Sequence, residues 1–381
     1  MSYENELKTT LDLSYLLSCA VNEQAPDRQR VAEMDLSKIS NAARRHSVSV
    51  LVCTALESCG ITIPALKIIK CKALRNLALF EKERSNVLRA LEEHSVWYLP
   101  LKGIILKDYY PAFGMREMND NDILCDDSRM DDVKSAMEGL GYTCEQYQED
   151  KHDVYTKPPV LAFEMHRTLF DKHDHAIDDL YEYYADVKER LIRADDSAFV
   201  YRFSNEDFYI FMLSHEYKHS VHSGTGMRSL LDLYVFLKKY AESLNWYYIG
   251  EELDKIGLSE FERIHRELSD HLFSDKPLSQ REEDLLLYYF SSGTHGTMSN
   301  YINNCLSRRL VNKDSISAKI DYCKERLFLS GENLQRQYPF FYKHKLLLPA
   351  LYLYRPLRGA AKHPGLIFRE IKTVVGFRAN H

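Results

Sequence analysis

Apolar residues return at every third or fourth position through Leu36–Gly60 and again through Cys71–Val96, with Pro64 breaking the chain between the two stretches. Such spacing gathers the apolar side chains on one helical face, so both stretches predict amphipathic helices that pack together. Residues 1–94 are therefore read as an amino-terminal helical domain. At Val96 the rhythm changes. "VWYLPL" is a compact apolar run of strand length, followed by Lys102-Gly103 and by "IILKDYYPAFG", a short helix expected to stop near Pro111 and Gly114.

The stretch "REMNDNDILCDD", residues 116–127, sets Asp120 and Asp122 two positions apart before the apolar run Ile123-Leu124-Cys125. In a strand, alternate side chains share a face, which puts both carboxylates on one side about 6–7 Å apart at the backbone. "SRMDDVKSAMEGLGY" then predicts a helix capped by Ser128 and ended by Gly139 or Gly141. "YTCEQYQ", "HDVYTKP" and "VLAFEMH" predict three short strands, and helical periodicity resumes from Glu206. The expected fold class is α+β. A small mixed β-sheet core over 95–203 lies between the helical domain of 1–94 and a carboxy-terminal helical domain of 204–381.

Composition narrows the setting. The chain has 381 residues, 45% of them hydrophobic, enough for a large core. No run approaches the roughly 18 apolar residues that span a bilayer, and the start lacks the pattern of a secretory signal. No membrane span and a cytoplasmic location are expected. Eight scattered cysteines form no C-x-x-C pair, so they read as reduced structural residues. The net charge of −6 is uneven: residues 338–381 hold eight Lys or Arg, including Arg378, against Glu370 alone, or +7, which leaves −13 for the rest. This basic tail could meet RNA phosphates, a membrane surface or an anionic acceptor. The preferred reading is a terminal helix docked by its apolar face, because Pro349, Pro356 and Pro364 would interrupt a continuous membrane-surface helix. A nucleic-acid partner is thus open but not indicated.

A third acid, Glu164, interrupts the apolar run of "VLAFEMH". On a strand beside that of Asp120 and Asp122 it would bring three carboxylates to one spot, which like-charge repulsion opposes and a divalent cation relieves. Magnesium, with manganese as a substitute, suits hard oxygen ligands completed by substrate phosphates. Phosphoryl chemistry also needs positive charge and close backbone approach at the phosphates. The Lys102-Gly103 turn offers both, and Arg116 could bind a further phosphate oxygen. Each residue has a blander reading. Asp120 and Asp122 alone would be a surface turn, Lys102 a solvated lysine, Arg116 equally a structural ion-pair partner, and His166 a satisfied core histidine. Taken together, the Lys-Gly turn, the aspartate pair and Glu164 favour a metal site. A separate motif, "HEYKH", places His215, Glu216 and His219 at the H-E-x-x-H spacing of zinc hydrolases, but without a third ligand pattern downstream.

The ordered set "LPLKGIILKDYYP", "REMNDND", "GLGY", "FEMH", "SHEYKH" and "RSLLDL" resembles the uncharacterised bacterial nucleotidyltransferases of the DNA polymerase β-like superfamily. The likeness runs from about Ser40 through the "YPFFYKHKLLLPALYLYR" tail. It implies that Asp120 and Asp122 are metal ligands, that Glu164 is the third acid, and that the Lys102-Gly103 turn faces the nucleotide. It also implies that the helix of "HEYKH" is not a protease motif; His215, Lys218 and His219 are instead expected to line the nucleotide cleft from the helical side or to pack within it. The wider superfamily usually has Gly-Ser or Gly-Gly where this chain has Lys-Gly, and more often an aspartate as third acid. The implied reaction moves a nucleoside monophosphate from an NTP, ATP first, to an unidentified hydroxyl or phosphate acceptor with release of pyrophosphate. Two alternatives remain: a non-catalytic nucleotide-binding or scaffold protein on the same fold, and the zinc hydrolase.

Overall fold

The computed structural model describes residues 3–148, 151–194, 197–310 and 314–377, with Glu332 and Arg336 described in their backbone alone. Arg378 of the basic tail lies outside the described residues. The chain divides into two compact units: Met1–Lys218 with Thr225–Thr294, and His219–Gly224 with His295–His381. Both boundaries expected from the sequence, near 94 and 203, fall within the first unit.

The first unit is built on a mixed five-stranded sheet, as an α+β core requires. Its strands are β1 (Tyr98–Pro100), β2 (Asn121–Cys125), β3 (Thr143–Gln146), β4 (His152–Lys157) and β5 (Leu161–His166), in the order β1-β2-β5-β4-β3. Only β2 and β5 run parallel. One face of the sheet is apolar: Ile123, Cys125, Tyr155, Phe163 and Met165 are fully buried. They pack with Leu77, Phe80, Val87 and Leu91 of helix Pro64–Glu93 and with Val133 and Met137 of helix Met130–Gly139. Burying each large side chain there contributes about 1.5–3 kcal/mol, which fixes the register of the three strands β2, β4 and β5. A slip by one residue would turn the whole set outward.

Local chemistry refines the expectation at two helix starts. Pro64 does mark the break between two helices, Ser49–Ser58 and Pro64–Glu93, and it does so from the first turn of the 30-residue helix, where its missing N–H costs nothing. Helix Met130–Gly139 follows a short 3-10 turn whose cap is Asp126, accepting the Ser128 N–H at 3.1 Å, so Ser128 is not the cap. Gly139 does end it.

A second core in the same unit joins helices distant in sequence. Helices Tyr3–Val21, Leu36–Arg45 and Ser49–Ser58 share it with helices Arg228–Tyr240, Ser259–Phe273 and Gln280–Ser292, through Leu13, Leu17, Leu56, Leu231, Leu268 and Leu286. The early and late helices thus close one apolar interior.

The second unit has a small core of Ile302, Cys305, Leu306 and Tyr322. Its last two helices are Leu348–Lys362 and Pro364–Gly376. The prolines do less than the sequence predicts: Pro349 and Pro364 sit in first turns, and the helix runs through Pro356. Docking is also sparser than expected, because Leu351 is buried while Leu353, Leu357, Phe368 and Val375 stay exposed. No helix among the described residues is long and apolar enough to cross a membrane.

Candidate active site

The opposite face of the sheet carries the acids. Parallel pairing of β2 with β5 places Asp122 directly opposite Glu164 and Leu124 opposite His166. Antiparallel pairing of β4 with β5 adds His152 opposite His166. The alternation that buries Ile123, Phe163 and Met165 therefore turns Asp122, Glu164, His166 and His152 to the other side. Asp120 lies just before the first residue of β2. The Leu101 N–H donates to the Asp122 carbonyl at 2.9 Å, tying the Lys102-Gly103 turn to the aspartate strand. Behind it, the buried Arg84 Nε donates to Asn121 Oδ1 at 2.8 Å and holds the start of β2.

Two carboxylates converge on one ring nitrogen. His166 Nε2 lies 3.4 Å from Asp122 Oδ1 and 3.6 Å from Glu164 Oε2, and His152 Nε2 lies 3.5 Å from the same Glu164 oxygen. His166 is buried and makes an internal hydrogen bond, as the sequence reading expected, but its partner is Asp122, one of the acids. Its buried Nδ1 has no hydrogen-bond partner among the described residues.

The acids titrate as neighbours. Desolvation in the cleft, followed by the charges of Asp122 and Glu164, pushes Asp120 up to about 6, although its open face lets water screen part of that repulsion. Burial works in the same direction on Asp122, yet the His166 hydrogen bond and charge outweigh it and hold Asp122 below its ordinary value. His166 answers in kind: burial opposes its protonation, but the Asp122 and Glu164 hydrogen bonds raise it.

Cations surround this negative centre. Lys218, from helix Asn205–Val221, is pushed down to about 7 by burial and by the nearby Lys151 and Lys102 charges, with Asp122 opposing. Burial also lowers Lys102, with Arg116 and Arg228 adding to it and Asp232 and Glu216 opposing. Arg228 is lowered by burial and by Arg116, and the Asp120 charge opposes the shift. A ring of crowded, partly desolvated cations beside acids is poised for a multiply charged anion.

Arg116 lies in this region but is committed. Its Nε and Nη2 reach Asp232 Oδ1 and Oδ2 at 2.8 and 2.9 Å, and Tyr110 Oη donates to the same Oδ1 at 2.8 Å. Of the two roles read from the sequence, the structure shows the buried ion pair. The remaining nitrogen, Nη1, stands beside Gly103, where an added Cβ would lie only 2.9 Å away. Gly103 is thus required for close approach.

The zinc-hydrolase motif takes another form. Glu216 is buried and accepts a hydrogen bond from the Tyr289 hydroxyl, which leaves it ill placed to act as a base on water. Among the described residues, the group of metal-ligating side chains that comes together is His152, Glu164 and His166, with ligand atoms within 4.8 Å of one another.

The sequence reading missed His152, Lys151, Arg228 and Asp232. For His152 a signal existed: a turn centred on Pro158-Pro159 pairs Lys157 with Leu161 and, counting back, His152 with His166. Arg228 and Asp232 sit inside the apolar "RSLLDL" pattern, four residues apart on one helical face, a spacing that marks a buried polar pair.

The family described as uncharacterised nucleotidyltransferase matches residues 32–274, a span that includes every side chain of this site. No curated protein and no solved structure matches the chain.

Proposed function

The chain belongs to this family of uncharacterised nucleotidyltransferases, and on that premise we propose that it moves a nucleoside monophosphate from an NTP, ATP first, to a hydroxyl or phosphate acceptor. Its sheet, with acids on adjacent parallel strands, is consistent with the DNA polymerase β-like superfamily. The observation that carries the reading is the Asp122–Glu164 register, with Asp120 raised by burial and then by both neighbours. Three oxygen donors with excess negative charge fit magnesium or manganese, and Asp120, Asp122 and Glu164 would hold it. Such an ion, when bound, neutralises phosphate charge and polarises the reacting oxygens.

The chain's own groups have separable tasks. Lys102 and Lys218 bind and orient the triphosphate, and the missing side chain at Gly103 leaves room for Arg116 beside the turn. Asp232 fixes Arg116 so that its free edge points at that same turn. The acceptor oxygen attacks the α-phosphorus, the bond from that phosphorus to the α–β bridging oxygen breaks, and pyrophosphate leaves. Glu164 takes the acceptor's proton. A nucleotide-binding scaffold would use the same cations without this last step.

The test is incubation with each labelled NTP, a cell extract and magnesium, following pyrophosphate and the labelled acceptor. Metal-dependent release that disappears in Asp122→Ala supports transfer. Release that persists unchanged in Asp122→Ala contradicts it, and magnesium-dependent binding of ATP analogues without any release points to the scaffold.

A further inference from the structure

The acids of this face do not stand alone, and the two histidines beside them change which ion the site prefers. His152 and His166 occupy opposed positions on β4 and β5, with ring centroids 4.9 Å apart. Each presents Nε2 to one oxygen of Glu164, at 3.5 and 3.6 Å. Four-coordinate zinc-type sites have metal–nitrogen and metal–oxygen distances near 2.0–2.2 Å, so tetrahedral donors sit about 3.4 Å apart. The two separations to Glu164 match that edge to within about 0.2 Å, and all three ligand atoms lie within 4.8 Å of one another. Both separations exceed the cis edge of a magnesium octahedron, roughly 2.9 Å at its shorter bonds.

Donor chemistry points the same way. Magnesium takes oxygen and keeps its waters, whereas imidazole suits borderline transition metals, and two histidines with one carboxylate leave positions open. The His166 ring is buried, and its Nδ1 has no hydrogen-bond partner among the described residues, so its polar contacts are with this cluster. Asp122 Oδ1, 3.4 Å from His166 Nε2, is available as a fourth donor.

We propose that His152, Glu164 and His166 form a site for a borderline divalent transition-metal ion of the zinc and cobalt class, adjoining the three-carboxylate centre and sharing Glu164 with it. It deepens the nucleotidyltransferase reading by giving that centre a second, nitrogen-rich ion position. Binding itself does not depend on transfer activity. With such an ion bound, the two imidazoles would serve as neutral ligands.

Cobalt(II) is the probe, because four- and five-coordinate nitrogen–oxygen sites give it an intense visible absorption that six-coordinate aqueous ion lacks. The full chain titrated with cobalt should develop such a band at one equivalent, resist excess magnesium, and lose the band to zinc. His152→Ala should weaken cobalt binding by at least roughly tenfold, and His152→Cys should restore it with a new thiolate charge-transfer band. Asp120→Asn should keep the band. No band in the wild-type chain, or equal binding in wild type and His152→Ala with melting temperatures unchanged, overturns the proposal. Failure of the nucleotide reading would show elsewhere, as absence of magnesium-dependent ATP-analogue binding.

Discussion

Replacing Asp232 with alanine tests how the floor of the site is held. The carboxylate accepts three hydrogen bonds, two from Arg116 and one from Tyr110, at 2.8–2.9 Å, and both charged side chains are nearly inaccessible. Burial opposes both charges; Asp232 is nevertheless held below its ordinary value by Arg116, and Arg116 is raised by Asp232. Removing one partner strands a buried guanidinium and a tyrosine hydroxyl, which costs about 3–5 kcal/mol. At roughly 2–4 °C per kcal/mol, melting should fall by about 6–20 °C. Asp232→Asn keeps an oxygen for Tyr110 and should lose less. The double variant Arg116→Met/Asp232→Leu removes both charges and should recover most of the loss, since apolar replacement of a buried pair is often close to neutral. Urea and thermal unfolding by circular dichroism, analysed as a double-mutant cycle, give the coupling. An alanine variant within about 1 kcal/mol of wild type, or a double variant as unstable as the sum of the singles, would refute the argument.

Other outcomes follow from the same contacts. His46 is fully buried, takes the Met227 N–H on Nδ1 and faces the Phe290 carbonyl with Nε2, and burial followed by the Arg45 charge pushes it down to about 4 from 6.5. The unfolded chain therefore gains the proton first. The stability this neutral ring contributes is full above about pH 6.5 and is lost as pH falls toward 4, by up to about 3 kcal/mol, a slope that His46→Phe should reduce in urea midpoints measured across that range. For Lys218, pushed down to about 7, phosphate binding favours the charged form, so ATP-analogue affinity should weaken from pH 6 to 8. Lys218→Arg should flatten that slope, and Lys218→Gln should weaken binding by roughly tenfold or more at pH 6, read by calorimetry. Gly103→Ala drives a Cβ to 2.9 Å from Arg116 Nη1 and should destabilise by about 1–3 kcal/mol. Gly139→Ala meets nothing within 4 Å and should be neutral or slightly stabilising.

Much of this was legible before the structure, and the reasons are local. The strands of Asp122 and Glu164 announce themselves by apolar runs, and period-two alternation alone sends both acids to the face opposite the apolar core. What the pattern could not supply was adjacency: only the parallel pairing sets Asp122 opposite Glu164. The fate of Arg116 was open for the same reason, since its partner Asp232 is 116 residues away. The joint core of early and late helices, where Leu13 meets Leu268 and Leu286, is equally invisible to periodicity, which reports that a face is apolar but not what covers it. His166 is the buried, hydrogen-bonded histidine that its apolar strand suggests; what periodicity could not name are its partners, carboxylates from β2 and from its own strand.

Isothermal titration of a non-hydrolysable ATP analogue, with and without magnesium, against wild type and Asp122→Asn tests the shared acidic centre most directly. The account predicts that magnesium tightens binding by wild type at least roughly tenfold, through its contacts to carboxylates and phosphates, and that Asp122→Asn abolishes this gain while keeping the metal-free affinity. Equal magnesium dependence in the two proteins would contradict it.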